Sequence, residues 1–305
     1  MTTAFVLSGG VSLGAIQVGM LQALSRHSIR PDLLVGTSVG ALNAAWVAGD
    51  PTPECTDRLA EVWRGLRRAD VFRFQPLRGL LGFTGRRSSL LDDAGVRRLL
   101  RRHLRYDSLE EAPTPLHVVA VHVLSGRDVR LSSGDAIDAI SASAAIPGIF
   151  APVSIGGDFY MDGGVVNNTP LSHAVELGAD IVWVLPTGYP CFLSEPPESA
   201  LGMALHGLAV LVQHRLAADV ARYEHVVDVR VVPPLCPVTV SPADFSQTAE
   251  LIDRARSATE AWLAFGPTPT HQASLLEPHT HGPGGHPETA GLDRSPTRRS
   301  PGRCD

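Results

Sequence analysis

The chain has 305 residues, 44% of them hydrophobic, and this length suits one large α/β domain or two small ones. All 26 basic residues are arginine, so a Schiff-base lysine, a phosphate-loop lysine and a Ser/Lys dyad are excluded. The net charge of −5 argues against a general nucleic-acid binder.

Short β-rich runs alternate with helix-like segments along the chain. This alternation predicts a mostly parallel sheet with helices on both faces. We predict helices at residues 13–24 and 39–47, and strands at residues 4–7, 33–35, 116–124, 128–131, 181–185 and 226–232. Within the run 155–161, the glycines at 156 and 157 predict the turn of a hairpin.

Residues 54–105 depart from this alternation because they contain no strand pattern, and we expect a helical insertion over the sheet. From Arg64 to Arg105 there are twelve arginines and only three acids, a local charge of +9. Residues 97–104 predict an amphipathic surface helix. Together with the apolar run 76–83, this helix could form a basic lip that docks on anionic lipid headgroups. The alternative is a solvated helix face that covers the core.

The two ends of the chain and its cysteines indicate the extent of the domain and the cellular compartment. Residues 266–305 hold seven prolines, six glycines and four histidines, so we predict one domain over 1–265 and a disordered tail. The N-terminus lacks the pattern of a secretion signal, and the apolar runs are too short to span a bilayer. The four cysteines have no paired spacing, which favours reduced thiols and a cytoplasmic protein, with peripheral membrane contact left open.

A first candidate site lies between the second predicted strand and the helix after it. Gly36, Ser38 and Gly40 form the pattern GxSxG, in which a sharp turn holds a serine at its apex. The flanking glycines let the backbone bend and a substrate approach. The alternative is an ordinary glycine-rich turn between a strand and a helix.

A second candidate is Asp162, which ends the predicted hairpin and precedes Gly163 and Gly164. An acid in this position could accept a proton from Ser38 and make its hydroxyl a nucleophile. It could equally be a turn aspartate that binds its own backbone.

A third candidate is the loop that joins the first strand to the first helix, with Gly9, Gly10, Val11, Ser12 and Gly14. Such a loop aims N–H groups at one point in front of the positive helix end, and so can stabilise an anion. Ala15 follows Gly14 and the chain has no lysine, so an oxyanion hole suits the loop better than a phosphate site. A purely structural turn remains the alternative.

These three motifs resemble those of the bacterial patatin-like phospholipases, which carry a glycine-rich loop, a GxSxG elbow and a DGG or DGA turn in that order. The blocks 141–153 and 162–171 are similar to the family's sequence around its catalytic aspartate. The similarity covers roughly residues 4–230, and it implies a three-layer α/β/α patatin-like fold.

The resemblance also implies roles for these residues. The family uses a Ser/Asp dyad without histidine, so Ser38 would form the acyl-enzyme and Asp162 would act as the base. The N–H groups of Gly9, Gly10, Val11 and Ser12 would form the oxyanion hole. The expected reaction is hydrolysis of a phospholipid or lysophospholipid ester. The sequence has neither calcium-loop nor zinc spacing, so no metal or organic cofactor is implied.

This chain departs from the family in the glycine-rich loop. Val11 stands where the family has a third glycine, and Leu13 stands at the family's basic position. If position 11 requires a positive φ, a β-branched valine is strained there by about 1–3 kcal/mol. We therefore expect reduced activity or a restricted substrate.

Three other interpretations stay open. A Ser/Asp/His triad would need a histidine after Asp162, and four are available: His173, His206, His214 and His225. The protein could instead be a general esterase or acyltransferase on soluble esters. It could also be a catalytically weak lipid-binding module, for which Val11 is the main support. The sequence leaves the oligomeric state open.

Overall fold

One mixed sheet of eight strands organises the part of the chain that the computed structural model describes, namely residues 1–72, 89–188, 196, 198, 200–238, 240–266, 272–276, 280–281 and 287–288. Its strands are β1 (Thr3–Leu7), β2 (Leu33–Thr37), β3 (Leu116–His122), β4 (Asp128–Leu131), β5 (Val153–Ile155), β6 (Asp158–Asp162), β7 (Ile181–Leu185) and β8 (Asp228–Val231). A short pair, β9 (Thr280–His281) and β10 (Pro287–Glu288), lies apart from it.

The helices follow the strands in chain order. They are α1 (Gly14–Arg26), α2 (Val39–Gly49), α3 (Pro53–Gly65), α4 (Arg68–Val71), α5 (Ala94–His103), α6 (Ala136–Ser143), α7 (Leu171–Glu176), α8 (Ala200–Tyr223) and α9 (Thr248–Phe265). Short 3₁₀ turns occupy Val11–Leu13, Leu109–Glu111, Gly163–Val165 and Gln272–Leu276. The predicted strands and helices are confirmed, with ends shifted by a few residues.

Five parallel strands form the centre of the sheet in the order β3, β2, β1, β7, β8. Three antiparallel strands extend the sheet: β4 and β6 both pair with β3, and β5 pairs with β6. The predicted hairpin is confirmed, since β5 and β6 pair through Gly156 and Gly157, both of which have a positive φ.

Both faces of the central sheet are buried, which explains why its strands are continuous apolar runs. Phe5 and Leu7 of β1 point into a core that contains residues of α1, α2 and α9. Ala4 and Val6 point into the opposite core, with residues of α7 and α8. The expected arrangement of helices on both faces of a mostly parallel sheet is therefore confirmed.

The described part of the predicted insertion, residues 54–72 and 89–105, consists of helices and connecting loops. The apolar side of α5 packs on the core through Val96 and Leu100, while Arg98 is exposed. Arg97 binds Asp93 and Asp138 at 2.6 Å each. The apolar face of α5 thus covers the core, whereas the apolar run 76–83 lies outside the described residues and contact with lipid stays a prediction.

The chain end and the cysteines complete the description. The predicted disordered tail lies mostly outside the described residues and stays a prediction. Its segment Gln272–Leu276 packs on the body, where Gln213 donates to the carbonyl of Leu276 at 2.8 Å.

Cys55 is a buried free thiol, but Cys236 is disulfide-bonded. The expectation of reduced thiols is therefore wrong for Cys236, because the distance between sulfurs in the fold, and not sequence spacing, decides pairing. None of the described helices is long and apolar enough to cross a membrane.

Candidate active site

Two strands that meet end to end bring Ser38 and Asp162 together. Thr37, the last residue of β2, pairs with Val119 of β3, and Asp162, the last residue of β6, pairs with Ala120. Because β2 runs parallel and β6 antiparallel to β3, the two strands approach each other along the same edge. Their ends therefore stop at consecutive positions of β3, and Ser38 Oγ donates a hydrogen bond to Asp162 Oδ2 at 2.6 Å.

Ser38 sits on a strained turn between β2 and α2. Its φ of 55° and ψ of −126° lie in a region that residues other than glycine rarely adopt. The turn is tightly packed, since a Cβ on Gly36 would lie 2.7 Å from the backbone of Ala41, and one on Gly40 would overlap the carbonyl of Leu7. Glycine is thus required on both sides of the serine, as the GxSxG pattern indicates.

A buried serine holds the backbone of this turn. The N–H of Ser38 donates to Ser143 Oγ at 2.8 Å, and the hydroxyl of Ser143 donates in turn to the carbonyl of Val119 at 2.6 Å. Ser143 therefore links the serine turn to β3. Ser143 lies inside the block 141–153, where the sequence pattern gives it no recognisable role.

The carboxyl group of Asp162 is buried, with 6% of the residue exposed. Its Oδ1 accepts the N–H of Gly164 at 2.7 Å, and its own N–H donates to the carbonyl of Ala145 at 2.9 Å. Burial raises the pKa of Asp162 to about 6, against the hydrogen bonds from Ser38 and Gly164, which lower it. A carboxylate with this pKa is a stronger base than an exposed one and is still ionised at neutral pH.

The glycine-rich loop lies beside Ser38, since a Cβ on Gly9 would lie 3.1 Å from Ser38 Cβ. Two of its four candidate N–H donors are already engaged. The N–H of Gly9 donates to the carbonyl of Asn168 at 3.0 Å, and that of Ser12 to the carbonyl of Pro242 at 3.1 Å. The N–H groups of Gly10 and Val11 bind no group in the described parts of the chain, which leaves them available for an anion in front of α1.

Val11 has the backbone conformation that the sequence reasoning considered. Its φ is 55°, which costs a β-branched residue about 1–3 kcal/mol. Its side chain is half-buried and packs on the core. The position usually filled by glycine in the family is thus filled here by a strained valine.

Two consecutive asparagines, which the sequence reasoning did not single out, connect the three motifs. The backbone of Asn167 accepts the Thr37 hydroxyl at 2.9 Å and donates its N–H to the carbonyl of Gly163 at 2.8 Å. The side chain of Asn168 donates to the carbonyl of Gly9 at 3.3 Å. The pair of adjacent asparagines shortly after the DGG turn is the sequence signal that could have found them.

None of the four candidate histidines contacts Ser38 or Asp162. The ring of His173 binds Asp128 at 3.0 Å and Glu176 at 3.3 Å. His206 is half-buried in α8, and His214 and His225 are exposed. The geometry therefore provides a proton acceptor for Ser38 in Asp162 and no histidine partner within the described residues.

A protein-family model described as a patatin-like phospholipase matches residues 5–175. Among curated proteins, the chain is 25% identical over 206 residues to lysophospholipase NTE1 of Phaeosphaeria nodorum, covering 68% of this chain and 13% of that protein. It is 28% identical over 179 residues to an uncharacterized NTE family protein of Mycobacterium bovis, covering 58% of this chain and 47% of that protein. The chain thus spans less than half the length of these relatives.

Two solved structures also align with most of the chain. VipD from Legionella pneumophila aligns with a TM-score of 0.44 at 16% identity, covering 87% of this chain and 67% of that one. ExoU in its complex with SpcU from Pseudomonas aeruginosa aligns with a TM-score of 0.38 at 18% identity, covering 87% of this chain and 51% of that one.

Proposed function

Because the chain belongs to the patatin-like phospholipase family, we propose that it hydrolyses a carboxylic ester of a phospholipid or lysophospholipid through an acyl-enzyme on Ser38. The observation that carries this proposal is the 2.6 Å hydrogen bond from Ser38 Oγ to the buried carboxylate of Asp162, on a strained turn beside two unengaged N–H groups. These parts provide a nucleophile, a base and an anion site in one place.

In the acylation step, Ser38 Oγ attacks the ester carbonyl carbon while its proton moves to Asp162. The oxygen of the tetrahedral intermediate carries the negative charge, and the N–H groups of Gly10 and Val11 stabilise it. The carbon–oxygen bond to the alcohol then breaks, and Asp162 returns the proton to the departing alkoxide. The products are the free alcohol and an ester of Ser38.

In the deacylation step, a water molecule attacks the acyl carbonyl carbon and gives its proton to Asp162. The same N–H groups stabilise the second intermediate. The bond to Ser38 Oγ breaks, and the proton returns from Asp162 to that oxygen. A fatty acid is released, and the dyad regains its starting state without any cofactor.

The substrate class rests on the family and on the printed names of the relatives, some of which are lysophospholipases. Peripheral membrane contact is part of the same proposal, and the exposed arginines of α5 support it. Two alternatives remain: a general esterase or acyltransferase on soluble esters, and a catalytically weak lipid-binding module. The strained Val11 favours the weak module, whereas the bonded Ser38 and Asp162 favour catalysis.

The test combines covalent labelling with hydrolysis. A fluorophosphonate probe should phosphonylate the wild type with loss of fluoride, and the wild type should release fatty acid from lysophosphatidylcholine. Ser38→Ala should do neither. Ser28→Ala is the matched control, because Ser28 also has a positive φ, 58°, but lies at the amino ends of the parallel strands, away from Ser38. A wild type that is neither labelled nor hydrolytic would refute the proposal.

A panel of esters separates the alternatives. Phospholipid and lysophospholipid micelles, a triacylglycerol and a short p-nitrophenyl ester should be compared at equal enzyme concentration. Faster turnover of the phosphate-bearing lipids supports the proposed substrate class. Turnover of the soluble ester alone would favour the general esterase instead.

A further inference from the structure

Hydrogen bonds to the carbonyl of Gly9 fix the peptide group between Gly9 and Gly10. The carbonyl of Gly9 accepts two hydrogen bonds, from Thr187 Oγ1 at 2.7 Å and from Asn168 Nδ2 at 3.3 Å. The N–H of Gly9 is also fixed, since it donates to the carbonyl of Asn168. Both sides of Gly9 are therefore tied to residues from other parts of the fold.

A fixed carbonyl also fixes the N–H of the following residue. The two groups belong to one planar trans peptide unit and point in opposite directions. When Thr187 and Asn168 hold the carbonyl of Gly9, the N–H of Gly10 must point away from them. Gly9 lies beside Ser38, so the N–H of Gly10 is close to the nucleophile. The N–H of Gly10 donates to no other group in the described part of the chain.

Thr187 is itself rigidly placed. It follows the end of β7, and its N–H donates to Ser8 Oγ at 2.9 Å. Only 7% of the residue is exposed. It also lies directly against Gly10, where a Cβ would come within 2.6 Å of Thr187 Cβ. The backbone of Gly10 therefore packs directly against the side chain of Thr187.

We propose that Thr187, together with Asn168, is a positioning residue that aims the N–H of Gly10 at the oxyanion by fixing the carbonyl of Gly9. This inference rests on the proposed function, since it assigns Gly10 to the oxyanion hole. The hydrogen bonds of Thr187 go to Ser8 and Gly9, and none goes to Ser38. Thr187 acts on the transition state alone, because the charge that Gly10 stabilises develops only there.

The main variant is Thr187→Val, which keeps the shape of the side chain and removes the hydroxyl donor. Loss of a whole oxyanion donor costs about 10²- to 10³-fold in kcat, so a misaimed donor should cost about 10- to 100-fold. KM should stay within about twofold, because ground-state binding does not use the oxyanion. Thr187→Ser keeps a hydroxyl and should retain most of the activity.

The matched control is Thr259→Val in α9. The hydroxyl of Thr259 is also buried and donates to a backbone carbonyl, that of Ala255, at 2.8 Å. The chemical change is therefore the same, but it lies away from the three motifs. Thr187→Ala provides a second variant that cannot overpack the loop, and it should show the same loss of kcat. Thermal melting of each variant reports whether the fold is kept.

The measurements are kcat and KM on a soluble p-nitrophenyl ester and the rate of labelling by a fluorophosphonate. The inference holds if both Thr187→Val and Thr187→Ala lose kcat and labelling rate while Thr187→Ser and Thr259→Val do not. It is overturned if Thr187→Val turns over like the wild type, or if Thr259→Val loses as much kcat. Failure of the proposed function is a different outcome, in which the wild type itself is neither labelled nor active.

Discussion

Replacing Asp162 by asparagine should stabilise the protein while it abolishes hydrolysis. The asparagine carbonyl can still accept the N–H of Gly164, and its amide can donate to Ser38 Oγ, so the hydrogen bonds around the site are kept. Only the buried negative charge is lost. Burial raises the pKa of this carboxyl from 3.8 to about 6, so the folded state holds the ionised form poorly.

The size of the effect follows from proton linkage. A rise in pKa of this size corresponds to about 3 kcal/mol of folding free energy lost on ionisation. Since the folded-state pKa is the higher one, the wild type loses stability as pH rises from about 4 to about 6, and the loss is complete above that range. Asp162→Asn should therefore be more stable than the wild type by about 3 kcal/mol at pH 8 but by only about 1 kcal/mol at pH 4.5.

Urea denaturation at both pH values measures this difference directly. Asp158→Asn is the matched control, because Asp158 lies on the same strand with an exposed side chain and should show no such gain. The reasoning fails if Asp162→Asn is no more stable than the wild type at pH 8. It also fails if the gain is the same at pH 4.5, because a pH-independent gain cannot come from the carboxylate charge.

Four further outcomes are expected. Because Asp162 must be ionised to accept a proton, kcat/KM should rise with pH through about 6, and a profile that is flat from pH 5 to pH 8 would contradict its role as base. Val11→Gly should raise the turnover of ester substrates by relieving the strain at φ 55° and opening the loop, whereas unchanged or lower turnover would remove that explanation. His173→Ala should keep ester hydrolysis, and a folded but inactive variant would point to a triad instead. Binding to anionic liposomes in a flotation assay should weaken with added salt, and also when the exposed arginines of α5 are replaced by glutamine, namely Arg98, Arg101 and Arg102. Binding that responds to neither change would argue against a basic lip.

The strain at two neighbouring sites has different consequences. Ser38 and Val11 share a φ of 55°, and each follows the carboxyl end of one of two neighbouring parallel strands, β2 and β1. At Ser38 the strained turn presents the hydroxyl to Asp162, so the strain accompanies a functional geometry. At Val11 the apolar side chain makes no hydrogen bond to Ser38 or Asp162 that would explain the same strain. The backbone N–H of Val11, which is available to an anion, is the feature that links this residue to the reaction.

The sequence by itself determined the local parts of this protein. Apolar runs fixed β1, β2, β3 and β7, since strands buried on both faces must be apolar throughout. The glycines around Ser38 predicted a turn in which no other residue fits, and the pair Gly156 and Gly157 predicted the hairpin. Each of these signals lies within about ten residues, because backbone conformation depends mainly on near neighbours.

Only the tertiary structure decided how these parts work together. Ser38 and Asp162 are 124 residues apart, and they meet because β2 and β6 end at consecutive positions of β3. The engagement of the Gly9 N–H by Asn168 and of the Gly9 carbonyl by Thr187 likewise joins residues more than 150 positions apart. The raised pKa of Asp162 comes from burial under the assembled fold. Strand register and burial depend on long-range packing, so no local pattern in the sequence carries them.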